Sequence, residues 1–250
     1  MVPPVIQGLW IGSELSAMEQ LSIQSFLHHG HPYHLYVYEA VRHVPAGTVV
    51  KDANAILPAS MIFQYTREKS YAGFSNFFRY KLLFERGGWW ADLDMVCLKP
   101  WAFEAPYVFS SEPLDGHGPE VATSSAIKAP AGSEVMAYAW RVCQSQDPAA
   151  LRWGQTGPQL IKEAIHAVHL ESYLQSAVVF CPVHYLAWER VLDADVSWTF
   201  GQATHAVHLW NEMWRRTGRD KNRRYHPNCL YEQLKCRYRG EEVNRAVLPH

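Results

Sequence analysis

The stretch that decides the fold runs from Phe74 to Pro100 and reads FSNFFRYKLLFERGGWWADLDMVCLKP. Its first part predicts a helix over Ser75–Arg86, because large apolar residues recur there at three- and four-residue spacing. The pair Gly87-Gly88 supplies the helix stop. The residues that follow, Trp89–Leu98, predict an apolar strand with two acids in its middle. A strong helix followed at once by a buried strand is typical of α/β proteins.

The segments on either side continue this alternation of strands and helices. Val5–Ile11 and Tyr33–Tyr38 are predicted strands, joined by a helix that Ser13 or Ser16 caps and that runs to about Gly30. We predict further strands at Tyr107–Ser110, Val121–Ile127 and Ala177–Phe180, and helices at Ser133–Ser145 and Thr156–Val168, the latter with Thr156 as N-cap. The sequence therefore predicts one α/β domain over residues 1–250, built on a single Rossmann-like mixed sheet flanked by helices.

Composition limits the classes of protein to consider. Of 250 residues, 48% are hydrophobic and 19% charged, which allows a sizeable core and excludes wholesale disorder. The net charge of −1 argues against a nucleic-acid-binding domain, which is usually strongly basic. The 10 Trp and 13 Tyr would suit stacking on sugars or bases, although ordinary core packing explains single rings equally well.

Targeting signals and cysteines suggest an intracellular setting. The first twelve residues lack a basic n-region, and no run approaches the roughly 18 apolar residues of a membrane span. Five scattered cysteines fit reduced thiols better than a disulfide framework. We predict a cytoplasmic protein, with the inner membrane surface as a candidate location.

The two acids of the central motif, Asp92 and Asp94, carry the strongest chemical signal. On a strand, two residues at i and i+2 lie on one face, so their like charges repel unless a cation lies beside them. Hard carboxylate oxygens without nearby thiolates favour Mg²⁺ or Mn²⁺. A D-x-D pair taken alone is also compatible with a solvated turn.

Four separated landmarks in one order give this motif a family context. The Phe74–Pro100 motif, together with the stretches QGLWIG (residues 7–12), QTGP (155–158) and AVHLW (206–210), resembles the DXD sugar-transferase family. That family is similar to glycosyltransferase family 32, with the capsule and lipopolysaccharide enzymes of bacteria, the yeast mannosyltransferases and the animal α-1,4-glycosyltransferases. The sequence departs from the family where Asn76 replaces the usual Asp and Ser125 stands in place of a common Asn.

The resemblance implies a GT-A fold, a nucleotide-sugar donor, Mn²⁺ or Mg²⁺, and retention of anomeric configuration. Asp92 and Asp94 would be the catalytic pair, with Asp94 binding metal directly, Asp92 through water, and His208 as a third ligand. Trp10 would stack on the donor base and Trp210 would close over the diphosphate. The complete implied donor-binding set is Trp10, Ile11, Asn76, Arg79, Trp90, Asp92 and Trp210. Asn76 and Arg79 would reach from the helix face opposite the packing residues.

The function implied is a metal-dependent retaining hexosyltransferase of bacterial polysaccharide biosynthesis. It would transfer a hexose from a UDP- or GDP-sugar to a hydroxyl of a glycan or lipid-linked saccharide. A non-catalytic nucleotide-sugar or carbohydrate-binding protein and a metal-dependent phosphohydrolase remain as alternatives.

The C-terminal segment, about residues 210–250, is locally basic. Between residues 210 and 239 there are nine Lys/Arg against three Asp/Glu. This pattern fits peripheral contact with an anionic membrane, a lipid-diphosphate acceptor, the donor phosphates or a solvated face.

Overall fold

A mixed six-stranded sheet forms the centre of the molecule. The computed structural model describes residues 3–114 and 118–240. The strands are β1 (Ile6–Trp10), β2 (Tyr33–Val37), β3 (Thr48–Asp52), β4 (Gly88–Ala91), β6 (Val108–Pro113) and β7 (Glu120–Ala129), in the order β3-β2-β1-β4-β7-β6. The first four strands in this order are parallel, and β7 runs antiparallel to both its neighbours. The predicted α/β architecture with a central mixed sheet flanked by helices is confirmed, and a second, two-stranded sheet adds to the single sheet predicted.

Two short strands lie outside this sheet and pair with each other. They are β5 (Met95–Cys97) and β8 (Ala206–His208), which are antiparallel and place Met95 opposite His208. The helices are α1 (Ala17–His28), α2 (Ala72–Arg86), α3 (Glu134–Gln144), α4 (Leu160–Ala167), α5 (Ala177–Phe180), α6 (Asn211–Thr217) and α7 (Leu230–Arg239). The small sheet therefore joins the middle of the chain to its last fifth.

Local signals set the ends of α1 and α2. Ser16 caps α1 through a capping box with Glu19, as the choice of Ser13 or Ser16 allowed. The last turn of α2 ends at Gly87, and both Gly87 and Gly88 have positive φ (63° and 89°), which lets the chain turn directly into β4. The predicted packing residues Phe74, Phe77, Phe78 and Leu82 are all buried.

The predicted strand Trp89–Leu98 is wrong as a single element. It is β4 and β5 separated by a turn at residues 92–94, in which the Met95 amide donates to the Asp92 carbonyl at 3.1 Å. The turn moves the chain out of the central sheet, so the alternation of faces assumed for the two acids does not apply to them.

Two other predicted elements differ from the structure, and one strand has no predicted counterpart. Ala177–Phe180 is the helix α5 rather than a strand, and the Cys181 amide closes its turn on the Ala177 carbonyl at 2.8 Å. The helix predicted from Thr156 begins at Leu160, because Gly157 has non-helical dihedrals within a π-type turn at Gln155–Gln159. Strand β3 was not predicted, since its exposed edge carries no apolar alternation.

Further predictions concern cysteines and membrane segments. All five cysteines are unpaired, and four of them are buried, which confirms the expectation of free thiols. Within the described ranges, no helix combines the length and apolar character needed to cross a membrane. The prediction of one domain over 1–250, with a basic segment from about 210, includes residues 241–250, which lie outside the described residues, and stays a prediction.

His31 connects the segment that follows β5 to the beginning of the chain. Its burial predicts a pH dependence of stability that can be tested. Its ring is 1% exposed; Nδ1–H donates to the Pro4 carbonyl at 2.8 Å and Nε2 accepts from the Trp101 amide at 2.9 Å. Burial lowers the pKa of His31 below its ordinary value of 6.5. Because the unfolded chain then binds the proton more readily, we expect the free energy of unfolding to fall as pH drops below about 6.5.

Urea unfolding of wild type and His31→Asn between pH 7.5 and 5 checks this expectation. Asn retains a donor near the Pro4 carbonyl but does not titrate, so the variant should lose less stability over this range than wild type. The exposed His226→Asn substitution is the matched control and should leave the slope unchanged. Equal slopes for wild type and His31→Asn would contradict the prediction.

Candidate metal and donor site

The turn that carries the two acids lies at the carboxyl edge of the parallel strands. Asp92 follows β4 directly, and its amide donates to the Ser125 carbonyl of β7 at 2.9 Å. Trp10, the last residue of the neighbouring parallel strand β1, ends at the same edge. Ligands of open α/β sheets bind at this edge, outside the carboxyl ends of the strands.

Asp94 is held by residues from the C-terminal part of the chain. Its Oδ2 accepts the Asn211 amide at 2.7 Å and lies 3.2 Å from Nε2 of His208. Its carbonyl accepts the Leu209 amide at 2.9 Å. The pairing of β5 with β8 therefore brings the third predicted ligand to the acidic turn.

Asp92, Asp94 and His208 together form a group that could hold a metal ion. One ligand atom from each of the three lies within 4.8 Å of the others. Two carboxylates and one imidazole suit a divalent ion such as Mn²⁺, whereas Mg²⁺ prefers oxygen ligands and water. The donor set thus fits the divalent metal that the sequence predicted and leaves the identity of the ion open.

The charges in this group explain the direction of each pKa shift. Burial raises the pKa of Asp92; Arg79 acts against this shift and the charge of Asp94 adds to it. Burial also acts to raise the pKa of Asp94, but the charge and hydrogen bond of His208 outweigh it, and the net pKa is lowered. The pKa of His208 is raised well above 6.5, because the charge of Asp94 overcomes the effect of burial. The two acids are therefore inequivalent before any ligand binds.

Arg79 and Trp90 fix the orientation of Asp92. Nη2 of Arg79 and Nε1 of Trp90 both donate to Oδ1 of Asp92, at 2.8 and 2.9 Å. Arg79 also donates to the Ser124 carbonyl and lies over the Trp90 ring at 4.9 Å. At 4% exposure, its guanidinium is buried within the protein. Strand β7 covers this face of α2, so Arg79 reaches Asp92 from inside the protein, and its predicted contact with the donor stays a prediction.

Asn76 lies on the same covered face as Arg79 and has protein partners. Its Nδ2 donates to Oγ1 of Thr156, and its Oδ1 accepts from Oγ of Ser124, both at 3.4 Å. A Cβ on Gly157 would lie 3.2 Å from Nδ2 of Asn76, so this glycine allows the close approach. The turn formed by the QTGP stretch (residues 155–158) therefore packs against the side chain of Asn76.

The aromatic residues predicted to bind the donor lie around the acidic turn. Trp10 is partly buried, its Nε1 has no hydrogen-bond partner within the described residues, and Nζ of Lys221 lies 5.7 Å from its ring centre. Trp210 adopts a positive φ of 57°, donates from Nε1 to the Val183 carbonyl, and places its ring centre 3.9 Å from that of His208. Ile11 packs against the core. Donor contact by these residues stays a prediction.

Sequence reasoning missed one group near His208. Sγ of Cys181 lies 3.9 Å from Nδ1 of His208 and 3.9 Å from Oγ of Ser125. Ser125 in turn bonds the hydroxyls of Ser110 and Thr123, each at 3.1 Å. Ser125 was singled out because of the family pattern, but no local signal marks Cys181, which reaches the site only through the fold.

Comparison with known families agrees with this geometry. Residues 16–112 match the family described as the glycosyltransferase sugar-binding region containing a DXD motif, and the match includes Asp92 and Asp94. Over this part of the chain, the match supports the resemblance to the DXD-containing glycosyltransferases that was drawn from the motifs.

Individual proteins give more distant likenesses. A structure described as the PaToxG glycosyltransferase is 14% identical over 66% of this chain and 70% of its own, with a TM-score of 0.48. A mutant transferase is 8% identical over 70% of this chain and 88% of its own, with a TM-score of 0.45. The comparison with curated proteins found no match.

Proposed function

We propose that this protein is a glycosyltransferase that transfers a hexose from a UDP- or GDP-sugar to a hydroxyl of a glycan or lipid-linked saccharide, with retention of anomeric configuration. The observation that carries the proposal is the convergence of Asp92, Asp94 and His208 at the carboxyl edge of the sheet. These three residues would hold Mn²⁺ or Mg²⁺. Bound there, the ion would neutralise the charge that develops on the leaving nucleoside diphosphate.

The chain's own residues would position the reacting groups. Arg79 and Trp90 hold the Asp92 carboxylate at fixed orientation, and the Asn211 amide holds that of Asp94. In the proposed reaction the bond from the anomeric carbon to the diphosphate oxygen breaks, and a bond to the acceptor oxygen forms on the same face. The diphosphate takes the acceptor's proton, so no side chain is required as nucleophile.

The proposed setting is polysaccharide biosynthesis at the cytoplasmic face of a bacterial inner membrane. Five of the nine basic side chains between residues 210 and 239 lie in ion pairs with glutamates: Arg215, Arg216, Arg219, Lys221 and Lys235. Arg223 and Arg224 are exposed and would contribute most to contact with anionic lipid. We propose no nucleic-acid partner, in keeping with the net charge of −1.

A panel of nucleotide sugars with Mn²⁺, Mg²⁺ or EDTA tests the function. We expect release of a nucleoside diphosphate from one donor, dependent on the metal, and a glycosylated product when a suitable acceptor is present. Release of inorganic phosphate would instead indicate a phosphohydrolase, and metal-dependent binding without turnover would indicate a binding protein. Either result overturns the proposal.

Trp10→Ala tests the proposed donor-base contact. Stacking of a base on an aromatic ring contributes about 1–3 kcal/mol, so we expect the variant to bind the nucleoside diphosphate roughly 5- to 150-fold more weakly. Calorimetric titration in saturating Mn²⁺ measures this change. Trp198→Ala is the control, since Trp198 lines a cavity beside Lys99, beyond the opposite end of β5. Nucleotide affinity equal to that of wild type would remove Trp10 from the donor site.

A further inference from the structure

Glu112, on β6, shares a face of its strand with residues that lead to the site. Ser111 points to one side, where its Oγ bonds the Gln175 carbonyl at 2.6 Å and Oε2 of Glu120 at 3.1 Å. Ser110 points to the other side and bonds Oγ1 of Thr123 at 2.7 Å. The strand is irregular between Phe109 and Ser111, but after this irregularity Glu112 pairs with Val121. Val121 and Thr123 lie on one face of β7, so Glu112 lies on the side where Ser110 bonds Thr123.

Two connections join that side of β6 to the candidate metal site. The first runs from Ser110 through Ser125 and Cys181 to Nδ1 of His208. The second begins one residue after Glu112, where the Pro113 carbonyl meets Nε2 of His184 at 2.9 Å. The residue before His184, Val183, accepts the indole N–H of Trp210. The segment 181–184 therefore contacts both the end of β6 and the residues His208 and Trp210.

The carboxylate of Glu112 has an unused acceptor atom. Its Oε2 is buried and has no hydrogen-bond partner within residues 3–114 and 118–240, while the side chain as a whole is half-buried. Burial raises the pKa of Glu112, and the charge of His208 acts in the opposite direction, which agrees with a location facing the site. A buried acceptor without a donor is costly, and such groups in native proteins commonly meet a ligand or water.

We propose that Glu112 accepts a hydrogen bond from a hydroxyl of the sugar handled at the Asp92–Asp94–His208 site. It would then be a sugar-recognition residue and would make no contact with the nucleotide. The ligand chemistry is a polyol hydroxyl, which either the hexose of the donor or the acceptor saccharide could supply. The inference rests on the proposed function and deepens it.

Glu112→Gln and Glu112→Ala test the inference by separating sugar from nucleotide. Hydrogen bonds to charged groups contribute about 1.5–3 kcal/mol, so we expect loss of Glu112 to weaken sugar recognition roughly 10- to 150-fold. Affinity for the nucleoside diphosphate in Mn²⁺ should stay within about twofold of wild type. If the hydroxyl belongs to the donor hexose, the Kd of the intact nucleotide sugar rises. If it belongs to the acceptor, that Kd is unchanged and the acceptor KM rises.

Glu120→Gln is the matched control, because Glu120 bonds Ser111 and Ser176 on the other side of β6 and should leave all three constants unchanged. Glu112→Gln keeps the side-chain shape, so it serves if the alanine variant does not fold. Wild-type donor affinity and acceptor KM in both Glu112 variants would overturn the inference while leaving the proposed function intact. A wild-type protein that neither binds nor turns over any nucleotide sugar would overturn the proposed function itself.

Discussion

Asp94→Asn is expected to lower metal-dependent release of the nucleoside diphosphate at least about 100-fold, a loss comparable to removing one strong electrostatic contact from an active site. Asp94 is the acid whose pKa is held low and whose Oδ2 lies beside Nε2 of His208, so it is the better prepared anionic ligand of the two acids. Asn still accepts a hydrogen bond from the Asn211 amide, which preserves the local backbone. Initial rates in saturating Mn²⁺ measure the effect.

The metal itself provides a second measurement for this variant. A ligand at 100 times its Kd stabilises the folded state by about 2.7 kcal/mol, which raises the melting temperature of a domain of this size measurably. We expect Mn²⁺ with nucleoside diphosphate to raise the melting temperature of wild type but not of Asp94→Asn. Asp220→Asn, at an exposed turn, controls for loss of one carboxylate. Retention of more than half of the wild-type rate would remove Asp94 from the catalytic group.

Arg79→Ala is expected to lower the free energy of unfolding by about 3–5 kcal/mol, the usual result of removing one partner from a buried ion pair. The guanidinium satisfies Asp92, the Ser124 carbonyl and Oγ of Ser75, so its loss leaves all three with fewer donors in a buried setting. Urea unfolding measures the change. Lys81→Ala, on the same helix, removes a partly exposed ion pair with Glu85 and should cost no more than about 1 kcal/mol.

A double variant, Arg79→Ala with Asp92→Asn, separates two contributions to the loss of stability: the unpaired carboxylate of Asp92 and the lost packing of the Arg79 side chain. If most of the destabilisation comes from leaving Asp92 without its cation, Asp92→Asn in the Arg79→Ala background should recover part of the stability. If Arg79→Ala alone lowers the free energy of unfolding by less than about 1 kcal/mol, the ion pair with Asp92 does not stabilise the fold as predicted.

What the sequence predicted well depends on local physics. The capping box at Ser16, the apolar spacing of α2 and its glycine stop are each determined within one or two turns of chain, and each is found as expected. The segment Ala177–Phe180 was misassigned because four apolar residues fit a strand or a helix equally well without tertiary context. The turn at Asp92 was missed for a similar reason, since the apolar run continues through it and only pairing with β8 divides it.

Residues of the candidate site could be predicted from the sequence only where they belong to a recognised motif. Asn211 and Asp94 are 117 residues apart in sequence, and no periodicity connects them. His208 was found through the AVHLW landmark, whereas Cys181 and Glu112 belong to no landmark and are brought near it by β6 and the segment after α5. The burial of Arg79 was missed because the helix pattern identifies the apolar face but cannot say that β7 covers the opposite one.

The pairing of β5 with β8 has a consequence for synthesis of the protein on the ribosome. Asp92 and Asp94 emerge from the ribosome well before their partners, because the Asn211 amide is added 117 residues after Asp94, and His208 shortly before it. A nascent chain that ends before β8 has the acidic turn without its imidazole. The three candidate ligands therefore come together only after β8 has been made, and a chain truncated before residue 206 would present the two acids without His208.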